Sequence, residues 1–88
     1  MSKEVIVFTS PTCGPCKQLK PALEAQAASR GFPLRIVEAS FETQEEFITA
    51  GVRVVPTVVV LADGKEAGRF TGARTPAQLE EQLVNWGL

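Results

Sequence analysis

Short apolar runs and helical periodicity alternate through the first half of the chain. Residues 5–8 form a continuous run of β-branched and aromatic side chains, which is typical of a buried parallel strand. Residues 14–29 favour a helix, and one face of it carries apolar side chains at intervals of four residues: Leu19, Leu23 and Ala27. Pro21 falls inside this pattern and predicts a kink. Residues 34–37 predict a second short strand.

The second half of the pattern predicts two helices around a hairpin. Residues 43–46 have the Thr-x-x-Glu spacing of a capping box, which predicts the start of a short helix. Residues 57–61 give the strongest strand pattern, and the Asp-Gly pair at 63–64 predicts a tight turn into a return strand over 65–71. Residues 75–78 form a second capping box and begin a last helix, whose inward side chains are Leu79, Leu83 and Trp86.

The predicted elements follow the order β-α-β-α-β-β-α. A helix between the first two strands makes them parallel, and the hairpin adds an antiparallel pair. We therefore expect an α/β protein with a four-stranded mixed sheet and helices on both faces, formed as one domain over residues 1–88. The loop after the first strand then lies at the edge of the sheet where open α/β folds place their sites.

The composition fits a small folded domain and excludes several classes of function. The chain has 88 residues, 44% of them hydrophobic, and a net charge of -1, which gives no reason to expect a nucleic-acid or membrane partner. It has no histidine, so Ser-His and Cys-His catalysis is excluded. No apolar stretch approaches the roughly 20 residues that cross a bilayer, and no signal-peptide pattern is present. We therefore expect a cytoplasmic protein.

The only two cysteines, Cys13 and Cys16, follow the first predicted strand and are separated by Gly14 and Pro15. Glycine permits a tight turn, and proline suits the first turn of a helix. If the helix begins here, Cys13 lies at its N-cap, where free N–H groups and the positive end of the helix dipole stabilise a thiolate. Cys16 lies one turn further along the same face. Because the thiolate is the form that attacks disulfides, the pair predicts a reversible dithiol–disulfide centre.

Two other interpretations of the cysteine pair remain open. A structural disulfide usually closes a longer loop, since its stabilisation grows with loop length. A structural zinc site takes about four Cys or His ligands, so a zinc ion or an iron–sulfur cluster would have to bridge two chains. In the cytosol a Cys-x-x-Cys pair is more often catalytic than structural, and we expect no metal.

At five places in register the chain resembles the thioredoxin-like superfamily, over nearly its whole length. The sequence Cys-Gly-Pro-Cys-Lys at 13–17 is similar to the active site of thioredoxins, and Pro21 lies where they kink the following helix. The other matches are the segment through a cis-proline, the C-terminal hairpin and the glycine before the last helix, at residues 50–57, 63–65 and 71–73. The resemblance implies a minimal thioredoxin fold.

The resemblance also implies a role for each matched residue. Cys13 is expected to be the nucleophile and Cys16 the resolving thiol. Lys17 is most simply a solvated lysine of the first helical turn, and its charge could help Cys13 to ionise. Pro56 is expected to be cis and to lie against the sulfurs, and the backbone of Val55 to bind an extended substrate segment. Gly72 is expected to leave room for that segment. The full expected substrate surface is Thr12, Gly14, Pro15, Val55, Pro56 and Gly72.

Two positions depart from the thioredoxin pattern. Thr12 stands where thioredoxins usually have a tryptophan before the first cysteine. Val7 stands where they have a buried aspartate, which is taken to shuttle the proton of the resolving thiol. The route by which Cys16 loses its proton must therefore differ, and water or Lys17 are the candidates.

The first half of the chain also resembles a glutaredoxin. Glutaredoxins typically have a lysine at the position of Ser10, and a Gly-Gly pair with an acidic cap where this chain has residues 72–75. Arg53 or Arg74 are candidates to attract a glutathione carboxylate. The glutathione site that the glutaredoxin pattern requires is incomplete.

The resemblance implies a thiol-disulfide oxidoreductase that reduces protein disulfides through a Cys13/Cys16 cycle. We expect a monomer that has the Cys13–Cys16 disulfide as its redox group, no other cofactor, and a thioredoxin-reductase-type donor. The alternative enzyme is a glutaredoxin recycled by glutathione. A candidate from a different class of function is a binding module that binds a partner at the same expected substrate surface without turnover.

Overall fold

The structure, a computed structural model, describes residues 2–88. Its elements in chain order are β1 Lys3–Thr9, α1 Gly14–Arg30, β2 Leu34–Glu38, α2 Gln44–Ala50, β3 Thr57–Ala62, β4 Lys65–Thr71 and α3 Pro76–Asn85. The strands form one four-stranded sheet in the order β2-β1-β3-β4. The predicted order of elements and the α/β fold class are confirmed.

The register of the sheet brings three loops to one edge. β1 runs parallel to β2, as the helical crossover predicts, and Thr9 at the end of β1 is paired with Glu38. β3 is antiparallel to β1, with Thr57 at its start beside Phe8. β4 is antiparallel to β3 and ends with Thr71 beside the same Thr57. The loop after β1, the loop before β3 and the loop after β4 therefore lie at the same edge.

The sheet buries an apolar cluster on each face, because alternate side chains of a strand point to opposite sides. Val5 and Val7 of β1 belong to the first cluster, which α1 and α3 cover with Leu19, Leu23, Leu79 and Leu83. Ile6 and Phe8 belong to the second. There α2 covers the sheet, and the ring of Phe47 meets that of Phe8 edge-on, with the centroids 5.1 Å apart. The prediction of helices on both faces is confirmed.

The two predicted capping boxes have different outcomes. In α3, the Thr75 hydroxyl accepts from the Gln78 N–H at 3.2 Å and the Gln78 side-chain oxygen accepts from the Thr75 N–H at 3.0 Å, which confirms the prediction. In α2 the prediction is wrong, since Thr43 is the N-cap but makes no capping bond. Its hydroxyl instead donates to the Glu38 carbonyl at 2.7 Å and accepts from the Ser40 N–H at 3.0 Å. The turn after β2 uses the hydroxyl that a capping box needs.

The other boundaries agree with the pattern to within one or two residues. The strands extend slightly beyond their apolar runs, and α1 continues through Pro21 to end before Gly31, which is left-handed with φ 76°. Asp63 and Gly64 both have positive φ, 54° and 82°, as a two-residue hairpin turn requires. Across residues 2–88, no helix has both the length and the apolar character needed to cross a membrane.

Candidate active site

A short loop held by its own hydrogen bonds carries the chain from β1 to α1. The Cys13 N–H donates to the Ser10 carbonyl oxygen at 3.1 Å. The Ser10 hydroxyl oxygen accepts from the Thr12 N–H at 3.3 Å and lies 3.2 Å from the Thr12 hydroxyl oxygen. This turn places Cys13 at the start of α1, at the C-terminal end of β1 as the sequence predicts.

Cys13 is the N-cap of α1. Its backbone is extended, with φ −88° and ψ 111°, and its Sγ accepts a hydrogen bond from the Cys16 N–H at 3.2 Å. The two sulfurs form a disulfide, and the two Cα atoms are 5.3 Å apart. The Cys13 sulfur therefore accepts a hydrogen bond from one of the N–H groups that have no partner within the first turn of a helix. It also lies beside the positive end of the helix dipole. In the reduced protein the same donor favours a negative charge on this sulfur.

Cys13 is the more accessible of the two cysteines. It keeps 8% of its surface exposed, whereas Cys16 keeps 3%. A disulfide that approaches from solvent therefore reaches Cys13 first. Four of the predicted site residues form an exposed rim along the sequence around the pair: Thr12, Gly14, Pro15 and Lys17.

The loop before β3 lies at the same edge of the sheet as Cys13. The Val55–Pro56 peptide bond is cis, as the resemblance implies. The buried Thr57 fixes this loop from inside, because its hydroxyl donates to the Val54 carbonyl oxygen at 2.7 Å. Since Thr57 is paired with Phe8 near the end of β1, the cis-proline loop and the cysteine loop are neighbours.

Gly72 joins this edge from the end of β4. Its N–H donates to the Pro56 carbonyl oxygen at 2.9 Å. Its φ of 84° lies in the left-handed region that favours glycine. Apart from its chain neighbours, no heavy atom of residues 2–88 lies within 4 Å of the position that a Cβ would take. The loop is thus fixed to Pro56 while the space beside Gly72 stays open.

Of the two arginines considered for glutathione, one is engaged within the chain. The Arg74 guanidinium lies 4.4 Å from the centroid of the Phe70 ring and donates to the carbonyl oxygens of Thr71 and Ala73, both at 3.0 Å. Arg53 is exposed. The structure therefore gives the glutaredoxin alternative no advantage.

The core that α1 covers is apolar. Val7 is fully buried in the first cluster, and within residues 2–88 no buried side chain is acidic. A pocket of about 130 Å³ lies beside Cys16, however, and its lining includes Thr9, Lys20 and Glu38. None of these three residues was predicted from the sequence to belong to the site. The one signal in the sequence was the alternation along β2, which puts Glu38 on the same side of the sheet as the apolar Leu34 and Ile36.

A disulfide in the first turn of a helix, at the sheet edge that also carries a cis-proline loop, defines a thiol–disulfide exchange site. Within the described part of the chain, no group of three or more His, Cys, Asp or Glu side chains could hold a metal ion. The Cys13–Cys16 disulfide itself can perform the exchange of sulfur–sulfur bonds.

Comparison with known proteins gives the same class. The family model for thioredoxin matches residues 1–85. Thioredoxin from Bacillus subtilis (strain 168) is 38% identical over 79 residues, which cover 89% of this chain and 75% of that protein. Thioredoxin from Mycolicibacterium smegmatis is 35% identical over 86 residues, which cover 93% and 77%. The X-ray structure of Fasciola hepatica thioredoxin has a TM-score of 0.84 at 30% identity and covers 96% of this chain and 80% of that one.

The chain belongs to the thioredoxin family. Members of this family are protein-disulfide oxidoreductases that use a dithiol mechanism. This protein is accordingly a thioredoxin-type disulfide oxidoreductase, with the Cys13–Cys16 disulfide as its redox group. The family implies protein disulfides as substrates and a reductase as electron donor.

Proposed function

We propose that Cys13 is the attacking thiolate and Cys16 the resolving thiol in the reduction of exposed disulfides of other proteins. The hydrogen bond from the Cys16 N–H to Cys13 Sγ carries this proposal, because a donor at the helix start favours negative charge on the first sulfur. The greater exposure of Cys13 supports the same order of attack.

The proposed reaction consists of two exchanges. The Cys13 thiolate attacks one sulfur of the substrate disulfide, forms a Cys13–substrate bond and releases the other substrate sulfur as a thiolate. The Cys16 thiolate then attacks Cys13 Sγ, forms the Cys13–Cys16 bond and releases the second substrate sulfur. Two electrons pass from the protein to the substrate, and a reductase then supplies two further electrons that reduce the Cys13–Cys16 disulfide before the next cycle.

The substrate segment in this proposal lies across the cis-proline loop. We assign the pairing with an extended chain to the backbone of Val55, and the position of this half-buried residue directly before the cis bond supports the assignment. The open space beside Gly72 takes the side of the substrate that faces β4. The remaining contacts come from Thr12, Gly14, Pro15, Lys17 and Pro56.

The recycling donor that we propose is a thioredoxin-reductase-type enzyme, with glutathione as the second candidate. The internal contacts of Arg74 support this order, because they occupy a cation that a glutathione carboxylate would need. We further propose that residues 1–88 form one domain that acts as a monomer in the cytoplasm, a reducing compartment in which such a pair is catalytic.

Turnover of a protein disulfide, followed as loss of NADPH, tests the roles of the cysteines. Cys13→Ser is expected to abolish turnover. Cys16→Ser is expected to accumulate a covalent adduct with the substrate that a small thiol releases. Ser29→Ala, on the exposed part of α1, is the control and is expected to keep wild-type turnover. Full activity of Cys16→Ser would contradict the two-cysteine cycle.

The same assay identifies the donor. We expect faster loss of NADPH with thioredoxin reductase than with glutathione and glutathione reductase. The reverse order would assign the protein to the glutaredoxin alternative. A wild-type protein that binds partners without turnover, and still binds them when both cysteines are serine, would be a binding module.

A further inference from the structure

If Cys16 is the resolving thiol, as in the function proposed above, its thiol must lose a proton before it attacks the mixed disulfide. Only the thiolate attacks a disulfide, yet Cys16 is 3% exposed. The cluster that α1 covers consists of hydrophobic side chains, and within residues 2–88 no buried side chain is acidic, so the core offers no group to accept this proton. The proton must therefore leave through other groups that border Cys16.

Those groups line the pocket of about 130 Å³ beside Cys16, which has room for several water molecules. Three of its lining residues besides Cys16 are ionisable: Lys17 and Lys20 of α1 and Glu38 of β2. Thr9 adds a hydroxyl from β1. The exposed position of Glu38 connects the pocket to solvent.

The register of the sheet explains why Glu38 faces this pocket. Thr9 and Glu38 are direct partners at the ends of β1 and β2. Val7 and Ile36, two residues earlier on each strand, contact the cluster that α1 covers. Because side chains two residues apart on a strand point to the same side, Thr9 and Glu38 also face α1. Cys16 and Lys20, four residues apart, share one face of that helix.

The chemistry of the three ionisable groups separates their roles. A lysine ammonium group donates hydrogen bonds and has no lone pair to receive a proton, so Lys17 and Lys20 are excluded as bases. Their positive charges favour a thiolate on Cys16 instead. The ionised Glu38 carboxylate has only acceptor oxygens and no hydrogen-bond donor. Of the three ionisable groups that line the pocket, it is the one that can take a proton.

We propose that Glu38 accepts the Cys16 proton through water in this pocket, while Lys20 stabilises the thiolate that forms. In the mixed disulfide, the Cys16 thiol gives its proton to the Glu38 carboxylate by way of water. The thiolate attacks Cys13 Sγ, the Cys13–Cys16 bond forms, and the bond from Cys13 to the substrate breaks. The substrate sulfur leaves as a thiolate and takes up a proton from Glu38 or solvent, so Glu38 is restored.

The two releases of thionitrobenzoate from Ellman's reagent test this proposal in stopped flow. Attack by Cys13 gives the first release, whose rate depends on reagent concentration, and attack by Cys16 gives the second, which does not. Glu38→Gln is expected to slow the second release at neutral pH by roughly tenfold or more, in line with the loss of a general base. Its rate is expected to rise toward alkaline pH, while the first release stays unchanged.

Two variants control this experiment. Glu42→Gln removes a nearby exposed carboxylate that does not line the pocket, and both releases are expected to match the wild type. Glu38→Asp keeps a carboxylate and is expected to restore part of the lost rate.

A second release that is unchanged or faster in Glu38→Gln would overturn the proposal. The faster result is what removal of a negative charge near Cys16 gives if the charge acts only through electrostatics. If Cys16→Ser shows a second release at the wild-type rate, the two-cysteine cycle itself fails and the role of Glu38 fails with it.

Discussion

The N–H of Gly72 donates to the carbonyl oxygen of Pro56 at 2.9 Å, so the end of β4 is joined directly to the cis-proline loop. Gly72 reaches this position with a φ of 84°, which a residue with a side chain adopts only at a cost. The link between two loops of the site therefore depends on the backbone of one glycine.

Gly72→Ala is expected to lower the free energy of unfolding by about 1 kcal/mol, because the left-handed backbone is strained for alanine although a Cβ has room there. Denaturant unfolding measures this loss. Gly14→Ala is the control, since a Cβ at Gly14 also meets no atom within 4 Å and its backbone is helical. Equal losses in the two variants would show that the conformation of Gly72 is not the cause.

Gly68 of β4 lies under the only tryptophan of the chain. A Cβ at Gly68 would be 2.8 Å from Trp86 Nε1 and 3.5 Å from Val60 Cγ1. Gly68→Ala is expected to displace the indole, disturb its stacking on Phe70 and destabilise the fold by about 1–3 kcal/mol. Denaturant unfolding measures the loss, and a shift of the tryptophan fluorescence reports the displacement.

Ala67→Ser, at the exposed neighbouring position, is the control for Gly68→Ala and is expected to change neither signal. In a Trp86→Leu background the cost of Gly68→Ala is expected to fall, because the atom that a Cβ would meet is then absent. The same cost in both backgrounds would contradict a clash with the indole.

Glu66 and Arg69 of β4 form a two-pronged ion pair, with both N···O distances 2.6 Å. The hydrogen bond from Arg69 holds the pKa of the Glu66 carboxyl below its usual value, and the charge of Arg69 acts in the same direction. Since the folded-state pKa is lowered, the pair adds stability above the unfolded pKa near 4.3, and this stability is lost as the pH falls through the folded value. Glu66→Gln removes the effect.

Glu66→Gln is therefore expected to lower the free energy of unfolding by about 0.5 kcal/mol at pH 7, as for other half-exposed ion pairs. Below the folded-state pKa of Glu66, the free energies of unfolding of the variant and the wild type are expected to be equal. Denaturant unfolding across this pH range measures the difference. Glu24→Gln, an exposed change on α1, is the control. A cost for Glu66→Gln that stays constant down to low pH would contradict the ion pair as its source.

Local hydrogen bonds decided how well the helices could be predicted. Thr75 and Gln78 bond to each other within one turn, so their spacing was enough to predict the cap of α3. Thr43 has the same spacing to Glu46, but its hydroxyl donates instead to the Glu38 carbonyl oxygen at the end of β2. The Glu38 carbonyl oxygen reaches the Thr43 hydroxyl only because the turn between β2 and α2 folds back. The spacing of residues in the sequence does not predict the path of that turn.

The candidate site likewise has one part that the sequence predicts and one part that it does not. The contact between Cys13 and Cys16 is made within one helical turn, and the sequence was sufficient to predict it. The pocket beside Cys16 needs residues from β1, α1 and β2 at once. Only the register that pairs Thr9 with Glu38 brings them together, and register is a property of the assembled sheet.

The reactivity of Cys13 as a function of pH tests the central claim, that the start of α1 favours a thiolate on this sulfur. The Cys16→Ser variant leaves Cys13 as the single thiol, and its rate of alkylation by iodoacetamide is measured beside that of free cysteine. We predict that Cys13 reaches half its maximal rate at a clearly lower pH than free cysteine, for which this pH is about 8.5. Half-maximal reaction at the same pH as free cysteine, or above it, would contradict the account.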